Sequence, residues 1–233
     1  MRTRSECEQK DATTLFKKLK YKWKRFRRRL KDRPDPLIYA YKKAQLKELL
    51  KLEAQGTIDL FFADECGFSL TPCIPYGWQP IGERHTIARR SDRSAKDWVA
   101  NLFGLLSRQG KLITYATSHS INGQFVAECL DEIVERITKP TVIVLDNAPW
   151  HTSELVRSRQ KVWAQKDLYL FFLPTYSPHL NLIETLWRKI KYAWLKAEDY
   201  ASVTTLKEAI FNIIRKYDNE FCIDFSKKSL SIT

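Results

Sequence analysis

Residues 173–191 read LPTYSPHLNLIETLWRKIK and lead from an apolar strand candidate into a helix. Ser177 and Pro178 suit an N-cap and a first helical turn, and the pattern predicts a helix over 180–195. Apolar residues recur along it at helical spacing, namely Leu180, Ile183, Trp187, Ile190 and Trp194. Glu184 flanks this apolar stripe, so we expect its carboxylate to point towards the ends of neighbouring strands.

Two other apolar runs are strand candidates, and each one runs directly into an aspartate. Residues 58–63 precede Asp64, and residues 141–145 precede Asp146. The carboxyl ends of strands in open α/β sheets face the crevice in which ligands bind. A single aspartate at such a place is weak evidence, because aspartate is also common in turns and at helix N-caps. The third acid, Glu184, favours a shared site.

Three carboxylates brought to one place repel one another unless a cation lies between them. Ligation by oxygen atoms alone suits a hard ion, Mg²⁺ or Mn²⁺. Two such ions, about 3.5–4 Å apart, would activate a water or a 3′-hydroxyl and stabilise the leaving oxygen of a phosphodiester. The residues therefore predict a two-metal site formed by Asp64, Asp146 and Glu184.

The rest of the pattern alternates strands with helices. Further strands are predicted at residues 98–106, 111–117 and 168–173, and helices at 37–55, 122–137, 152–163 and 203–217. This order predicts an α/β fold with a mixed β-sheet flanked by helices. The five cysteines include no CxxC pair, which argues against a disulfide framework or a structural zinc site. No apolar run is long enough for a membrane span and no signal peptide is visible, so a cytoplasmic location is expected.

The positive charge is concentrated at the N-terminus. Residues 1–47 carry 17 Lys and Arg against 5 Asp and Glu, whereas residues 48–233 carry 23 against 22. Cations mixed with aromatic residues suit a phosphate backbone, so we expect nucleic-acid contact, with a membrane surface or a solvated tail as alternatives. The predicted DNA-binding residues are Lys17, Lys18, Lys20, Lys22, Lys24, Arg25, Arg27, Arg28, Arg29 and Lys31.

Three motifs in this order resemble the DDE transposases, specifically the bacterial insertion-sequence branch of the mariner superfamily. They are FFADECGFSLTPCIPYGWQPIG at 61–82, VIVLDNAPWHTSELV at 142–156, and the 173–191 stretch. The resemblance implies an RNase H-like fold and a metal-dependent enzyme that cleaves and transfers DNA strands at the ends of an insertion sequence. It also implies an acidic triad of Asp64, Asp146 and Glu184 with 37 residues between the last two.

The same resemblance assigns supporting roles around the triad. Asn147 and Asn181 would orient a carboxylate or hold a phosphate, and His151 would either donate to the scissile phosphate or position the site, for instance by capping the helix near Thr152. Glu65 is expected to be structural or to support the ligands rather than to replace Asp64. Trp78 and Gly82 match a hairpin of the family motif, where a folding role is expected.

The resemblance also implies an organisation and partners. Residues 1–56 would be a basic segment and helix, the remnant of a helix-turn-helix region plus linker, and residues 57–233 the RNase H-like catalytic domain. The partners would be the terminal inverted repeats, target DNA and a second copy of the chain on DNA. A product of an upstream reading frame would supply the helix-turn-helix units that the family normally carries. The alternatives are a transposase-derived DNA-binding protein without activity and an RNase H-like nuclease.

Overall fold

The computed structural model describes residues 34–73 and 98–225, which are built around a five-stranded sheet. Its strands are β1 (Asp59–Ser69), β2 (Trp98–Ser107), β3 (Leu112–Thr117), β4 (Thr141–Leu145) and β5 (Leu168–Phe172). They lie in the order β3-β2-β1-β4-β5, with antiparallel pairing of β1, β2 and β3 and parallel pairing of β1, β4 and β5. The α/β class with a mixed sheet agrees with the sequence prediction.

Helices cover both faces of this sheet. They are α1 (Pro36–Ala54), α2 (Gly123–Val134), α3 (Glu154–Gln165), α4 (Ile183–Lys189) and α5 (Val203–Arg215). One apolar core joins the sheet to α1, α4 and α5, and a second core joins the other face to α2 and α3. None of the helices in the described ranges combines the length and apolar character that a bilayer crossing requires.

The strand β1 is longer than the sequence predicts. Asp64 was expected just after a strand, but β1 continues to Ser69, so Asp64 lies within it and that prediction is wrong. The reason is that the two neighbours of β1 differ in length: β4 pairs with it only as far as Phe62, whereas β2 pairs with it up to Ser69. Asp64 therefore lies just beyond the last parallel pair, next to the carboxyl end of β4.

The helix predicted over 180–195 is also interrupted. A 3₁₀ turn at Pro178–Leu180 is followed by Asn181 in an extended conformation, and only then does α4 begin; a π-helical turn at Ile190–Trp194 follows it. Ser177 and Pro178 occupy the N-cap and first positions of this 3₁₀ turn, as predicted, but the Ser177 side chain makes no capping hydrogen bond. Asn181 is extended because its buried side-chain amide bonds the β1 backbone, as described below. Glu184 consequently lies in the first turn of α4 rather than the second.

The helix α1 is packed with the catalytic sheet. Asp35 caps it by accepting hydrogen bonds from the backbone N–H groups of Leu37 and Ile38. The chain divides after Asp32, and α1 belongs with the sheet in the unit Arg33–Thr233. Tyr39 on α1 hydrogen-bonds His179 at 2.8 Å. The domain boundary at residue 56 stays a prediction, and residues 1–32 lie outside the described residues.

Candidate active site

The three predicted acids line one cleft at the carboxyl end of the parallel strands. The cleft has a volume of about 370 Å³, and its walls come from β1, the segment after β4, the segment after β5 and the first turn of α4. Asp64, Asp146 and Glu184 all face it, although they lie 38 or more residues apart in sequence. The fold thus brings together three carboxylates that the sequence distributes over three elements.

Asp64 is the most buried of the three acids. It lies two residues from both Phe62 and Cys66 along β1, so its side chain shares their face of the sheet, which α4 covers. Burial raises the pKa of Asp64 to about 8, and the negative charges of nearby carboxylates, with Glu184 the largest, add to this effect. Within the described residues, the main charges that act on Asp64 are therefore those of other carboxylates.

Asp146 follows β4, and its carboxylate accepts two hydrogen bonds. Its Oδ1 accepts the backbone N–H of Ala148 at 2.9 Å and Nδ1–H of His151 at 2.8 Å. Burial acts to raise its pKa, but these hydrogen bonds and the charge on His151 outweigh burial and hold the pKa of Asp146 below its usual value. Asp146 is therefore ionised while Asp64 retains its proton near neutral pH.

His151 is fully buried and lies between two carboxylates. Its Nε2–H donates to Glu65, and its Nδ1–H to Asp146. Burial would lower the pKa of His151, but the hydrogen bonds and charges of these two acids raise it to about 9. His151 does not line the cleft, and Ser153 rather than His151 caps α3 by accepting from Val156 N–H. The structure favours the positioning alternative for this residue.

Glu65 projects from the opposite face of β1 to Asp64, because side chains alternate along a strand. It lies on the same side as Phe61 and Ala63, where α2 and α3 pack. The side chain is mostly buried, with 14% of its surface exposed, and it accepts the hydrogen bond from His151. Glu65 therefore does not face the cleft, in agreement with the choice of Asp64 as the first acid.

Glu184 reaches the cleft because α4 lies close against the sheet. Its helix packs on β2 at Gly104, which is paired with Asp64 across the two strands. A Cβ atom at Gly104 would lie 2.7 Å from the ring of Trp187 and 3.0 Å from Ile183, so only glycine leaves room for α4 at this distance. Burial raises the pKa of Glu184, and the nearby charge of Arg188 opposes this.

The two predicted asparagines both line the cleft and both bond to backbone carbonyls. Asn147 donates through its side-chain amide to the carbonyl of Leu173, which joins the segments after β4 and β5. Asn181 donates through Nδ2 to the carbonyl of Ala63 at 2.9 Å. Its Oδ1 is buried and has no hydrogen-bond partner among the described residues.

The donor chemistry of the cleft fits a hard divalent cation. The cleft offers carboxylate and amide oxygen atoms, and among the described residues the amide oxygen of Asn181 has no hydrogen-bond partner. Burial and the nearby carboxylates raise the pKa of Asp64, which a bound cation would lower. Across residues 34–73 and 98–225, however, no three His, Cys, Asp or Glu side chains form a ready-made metal site. The carboxylates thus face a common cleft without already enclosing an ion.

Several predicted residues cannot be compared with this site. The basic residues between Lys17 and Lys31, together with Trp78 and Gly82, fall outside the described residues. The sequence analysis missed the close approach at Gly104. It also missed Tyr176, a cleft residue whose backbone lies in the left-handed region at φ 55°. A single glycine within a predicted strand, as at Gly104, is the usual sequence signal for such a close approach.

The family is established by its sequence model, described as DDE superfamily endonuclease, which matches residues 59–207. The chain belongs to the DDE superfamily endonucleases. The matched part holds all five strands, α4 and the whole cleft, and it agrees with the resemblance seen in the sequence. The matched residues include Asp64, Asp146 and Glu184, which line the cleft.

Solved structures of the mariner transposase Mos1 share the fold. The Mos1 strand transfer complex is 15% identical with a TM-score of 0.57, and the Mos1 paired-end complex with Mn is 16% identical with a TM-score of 0.58. Each match covers 91% of this chain and 64% or 65% of the Mos1 chain. The isolated Mos1 catalytic domain matches over 83% of this chain and 88% of its own length, with 14% identity and a TM-score of 0.51. The predicted RNase H-like fold is confirmed.

A curated relative matches a shorter part of the chain. It is the uncharacterized protein y4pE/y4sA of Sinorhizobium fredii (strain NBRC 101917 / NGR234), 33% identical over 67 residues. The match spans 28% of this chain and 45% of that protein. The chain thus spans less than two thirds of the length of the Mos1 chains in the two complexes and of this relative.

Proposed function

We propose that this protein is a transposase of an insertion sequence, which cleaves DNA at the element ends and joins them to target DNA. The observation that carries the proposal is the convergence of Asp64, Asp146 and Glu184 on one cleft within a DDE superfamily domain. The fold shared with the Mos1 strand transfer complex supports strand transfer as well as cleavage. The substrates are then the terminal inverted repeats and the target duplex.

Asp64, Asp146 and Glu184 would hold Mg²⁺ or Mn²⁺, and the oxygen donors of the cleft support two ions. The bound ions would supply an activated water or 3′-hydroxyl and stabilise the leaving oxygen of the phosphodiester. Each protein group has its own part in this. Asp64, whose pKa is raised by burial, would bind the cation as the carboxylate, Asp146 has a lowered pKa that favours the ionised form, and the first turn of α4 presents Glu184.

The supporting residues fix the walls of the cleft. Asn147 joins the segments after β4 and β5, and Asn181 joins the start of α4 to β1 through the carbonyl of Ala63. These contacts allow the carboxylates to keep their places while the DNA backbone enters the open cleft.

The DNA contacts of the proposal extend beyond the cleft. The ten basic residues between Lys17 and Lys31 would bind phosphates, since cationic side chains release counterions from a duplex. The Mos1 paired-end complexes support DNA as the partner, and a second copy of the chain on DNA is part of the same proposal. A polypeptide with helix-turn-helix units, from an upstream reading frame, is part of the same proposal.

The test compares three single substitutions in the full chain with wild type. Asp64→Ala, Asp146→Ala and Glu184→Ala should each abolish Mg²⁺-dependent cleavage of labelled duplex DNA carrying an element end, because each removes a metal ligand. Glu128→Ala, on the surface of α2, is the control and should cleave as wild type. All four proteins should give folded circular dichroism spectra. Cleavage by purified Asp146→Ala at the wild-type rate would overturn the triad.

A further inference from the structure

A buried histidine connects two acids behind the cleft. His151 has no exposed surface, and its two ring nitrogens donate to Asp146 and to Glu65, 86 residues earlier in sequence. The rings of Phe103 and Trp150 lie beside it with centroids 6.3 Å from its own. Both partners of the imidazole are therefore carboxylates, and aromatic rings restrict its rotation.

The consequence for Asp146 is a fixed orientation. Asp146 follows the last residue of β4 and its side chain is 52% exposed, so the strand itself does not fix its carboxylate. Within the described residues, both hydrogen bonds that it accepts end on Oδ1, from Ala148 N–H and from His151. No hydrogen bond from the described part of the chain ends on Oδ2, and Asp146 lines the cleft.

Glu65 provides the rigid end of this connection. It lies within β1, which is paired with β2 at that residue, opposite Phe103. A side chain on a paired central strand moves less than one on a connecting segment. Through His151, Glu65 on the sheet therefore fixes the orientation of the Asp146 carboxylate, which lies outside the sheet.

We propose that Glu65 and His151 are positioning residues that hold Asp146 so that its Oδ2 binds a divalent cation. The proposal rests on the proposed function, since it assumes that Asp146 is a metal ligand. Neither residue lines the cleft, so neither touches the cation or the DNA itself. Their effect is on the affinity of the site for metal, because partners behind a ligand commonly change metal affinity about 10- to 100-fold.

Two substitutions of Glu65 separate positioning from charge. Glu65→Gln and Glu65→Ala remove the same negative charge, but only the glutamine keeps an oxygen that accepts the hydrogen bond from His151. If charge alone mattered, both would weaken cation binding equally. If positioning matters, Glu65→Ala should weaken binding about 10- to 100-fold, and Glu65→Gln should stay much closer to wild type.

The measurement is the binding of Mn²⁺ alone to the full chain, followed by the electron paramagnetic resonance signal of the free ion. Thermal denaturation of each variant shows whether it is folded. Equal affinities for Glu65→Gln and Glu65→Ala would overturn the positioning proposal while leaving the proposed function intact. Absence of Mn²⁺ binding by wild type would overturn the metal site and this inference with it.

His151→Gln gives an independent result if Glu65→Ala does not fold. This substitution removes a positive charge behind the cleft, so charge alone predicts tighter Mn²⁺ binding. Positioning predicts the opposite, because Asp146 loses its connection to Glu65. Weaker binding by folded His151→Gln would support the proposal, and tighter binding would overturn it.

Discussion

Among single residues of the cleft, Asp64 is the acid whose ionised form is disfavoured most, by burial and by the negative charges around it. Burial and three neighbouring carboxylates raise its pKa to about 8 in the folded protein, whereas an aspartate in an unfolded chain has a pKa of about 3.9. The folded state therefore binds this proton more tightly than the unfolded state. For that reason the free energy of unfolding of the metal-free protein should fall as the pH rises from about 4 towards 8.

Asp64→Asn should remove this part of the pH dependence. The amide is close in shape but cannot ionise, so the variant should melt at a higher temperature than wild type, by a margin that is larger at pH 8 than at pH 5. Thermal denaturation in EDTA at the two pH values measures the margin. Asp59→Asn, on the same strand and paired with Lys139 at the surface, is the control. An equal margin at both pH values would contradict the raised pKa.

The sequence identified the acids of the cleft but not the contacts that place them. Asp64, Asp146 and Glu184 could be found because each follows or flanks an apolar run. The partner of His151 could not be found, because Glu65 lies 86 residues away and only the fold brings the two together. Whether the triad binds metal stays a prediction.

At the scale of elements, the fit between α4 and β2 determines where Glu184 lies. The Trp187 ring occupies the space above Gly104 that a side chain would fill if residue 104 were not glycine. The ends of helices and strands also depend on contacts with residues that are distant in sequence. The apolar runs predicted every described strand, but the end of β1 depends on β2, and the break at Asn181 depends on the Ala63 carbonyl. Neither dependence is visible in a local pattern.

Gly104→Ala should displace α4 from the sheet. The added methyl group would meet the Trp187 ring at 2.7 Å, and overpacking of this kind typically costs about 1–3 kcal/mol of unfolding free energy. Metal-dependent cleavage should fall as well, because Glu184 moves with the helix. Urea denaturation and a cleavage assay measure the two effects.

Combining Gly104→Ala with Trp187→Phe provides the control for this prediction. A smaller ring leaves room for the new methyl group, so the double variant should be more stable than the sum of the two single changes predicts. Simple additivity of the two substitutions would show that the contact between Gly104 and Trp187 does not set the position of α4.

At the scale of the whole molecule, charge and chemistry occupy different parts of the chain. Residues 1–47 carry a net charge of +12, whereas the remainder, which holds the cleft, is almost neutral at +1. The sheet, α4 and the acids are therefore expected to contribute little to the general attraction for DNA. Most of the salt dependence of DNA binding should come from the N-terminal residues.

Glutamine at the ten basic positions between Lys17 and Lys31 should flatten the dependence of DNA affinity on salt. Each lost phosphate contact changes the slope of log affinity against log salt by about 0.9 on duplex DNA. Fluorescence anisotropy with a labelled duplex at several salt concentrations gives the slope. Lys166→Gln with Lys216→Gln, which removes two surface ion-pair partners, is the control. An unchanged slope in the ten-residue variant would place the binding surface elsewhere.

The two neighbouring acids of β1 also bear on how the sheet forms. Residues 60–63 are buried on both faces of the strand, so apolar character alone does not distinguish one face from the other. Slippage by one residue would exchange the faces, placing Glu65 towards Glu184 and removing the carboxylate that His151 requires. In that alignment His151 would keep Asp146 as an acceptor but lose its second one, and a buried ring N–H without a partner is costly, so the slipped alignment is disfavoured during folding. Asp64 and Glu65 thus specify the alignment of the central strand, and a chain that folds correctly has already assembled its cleft.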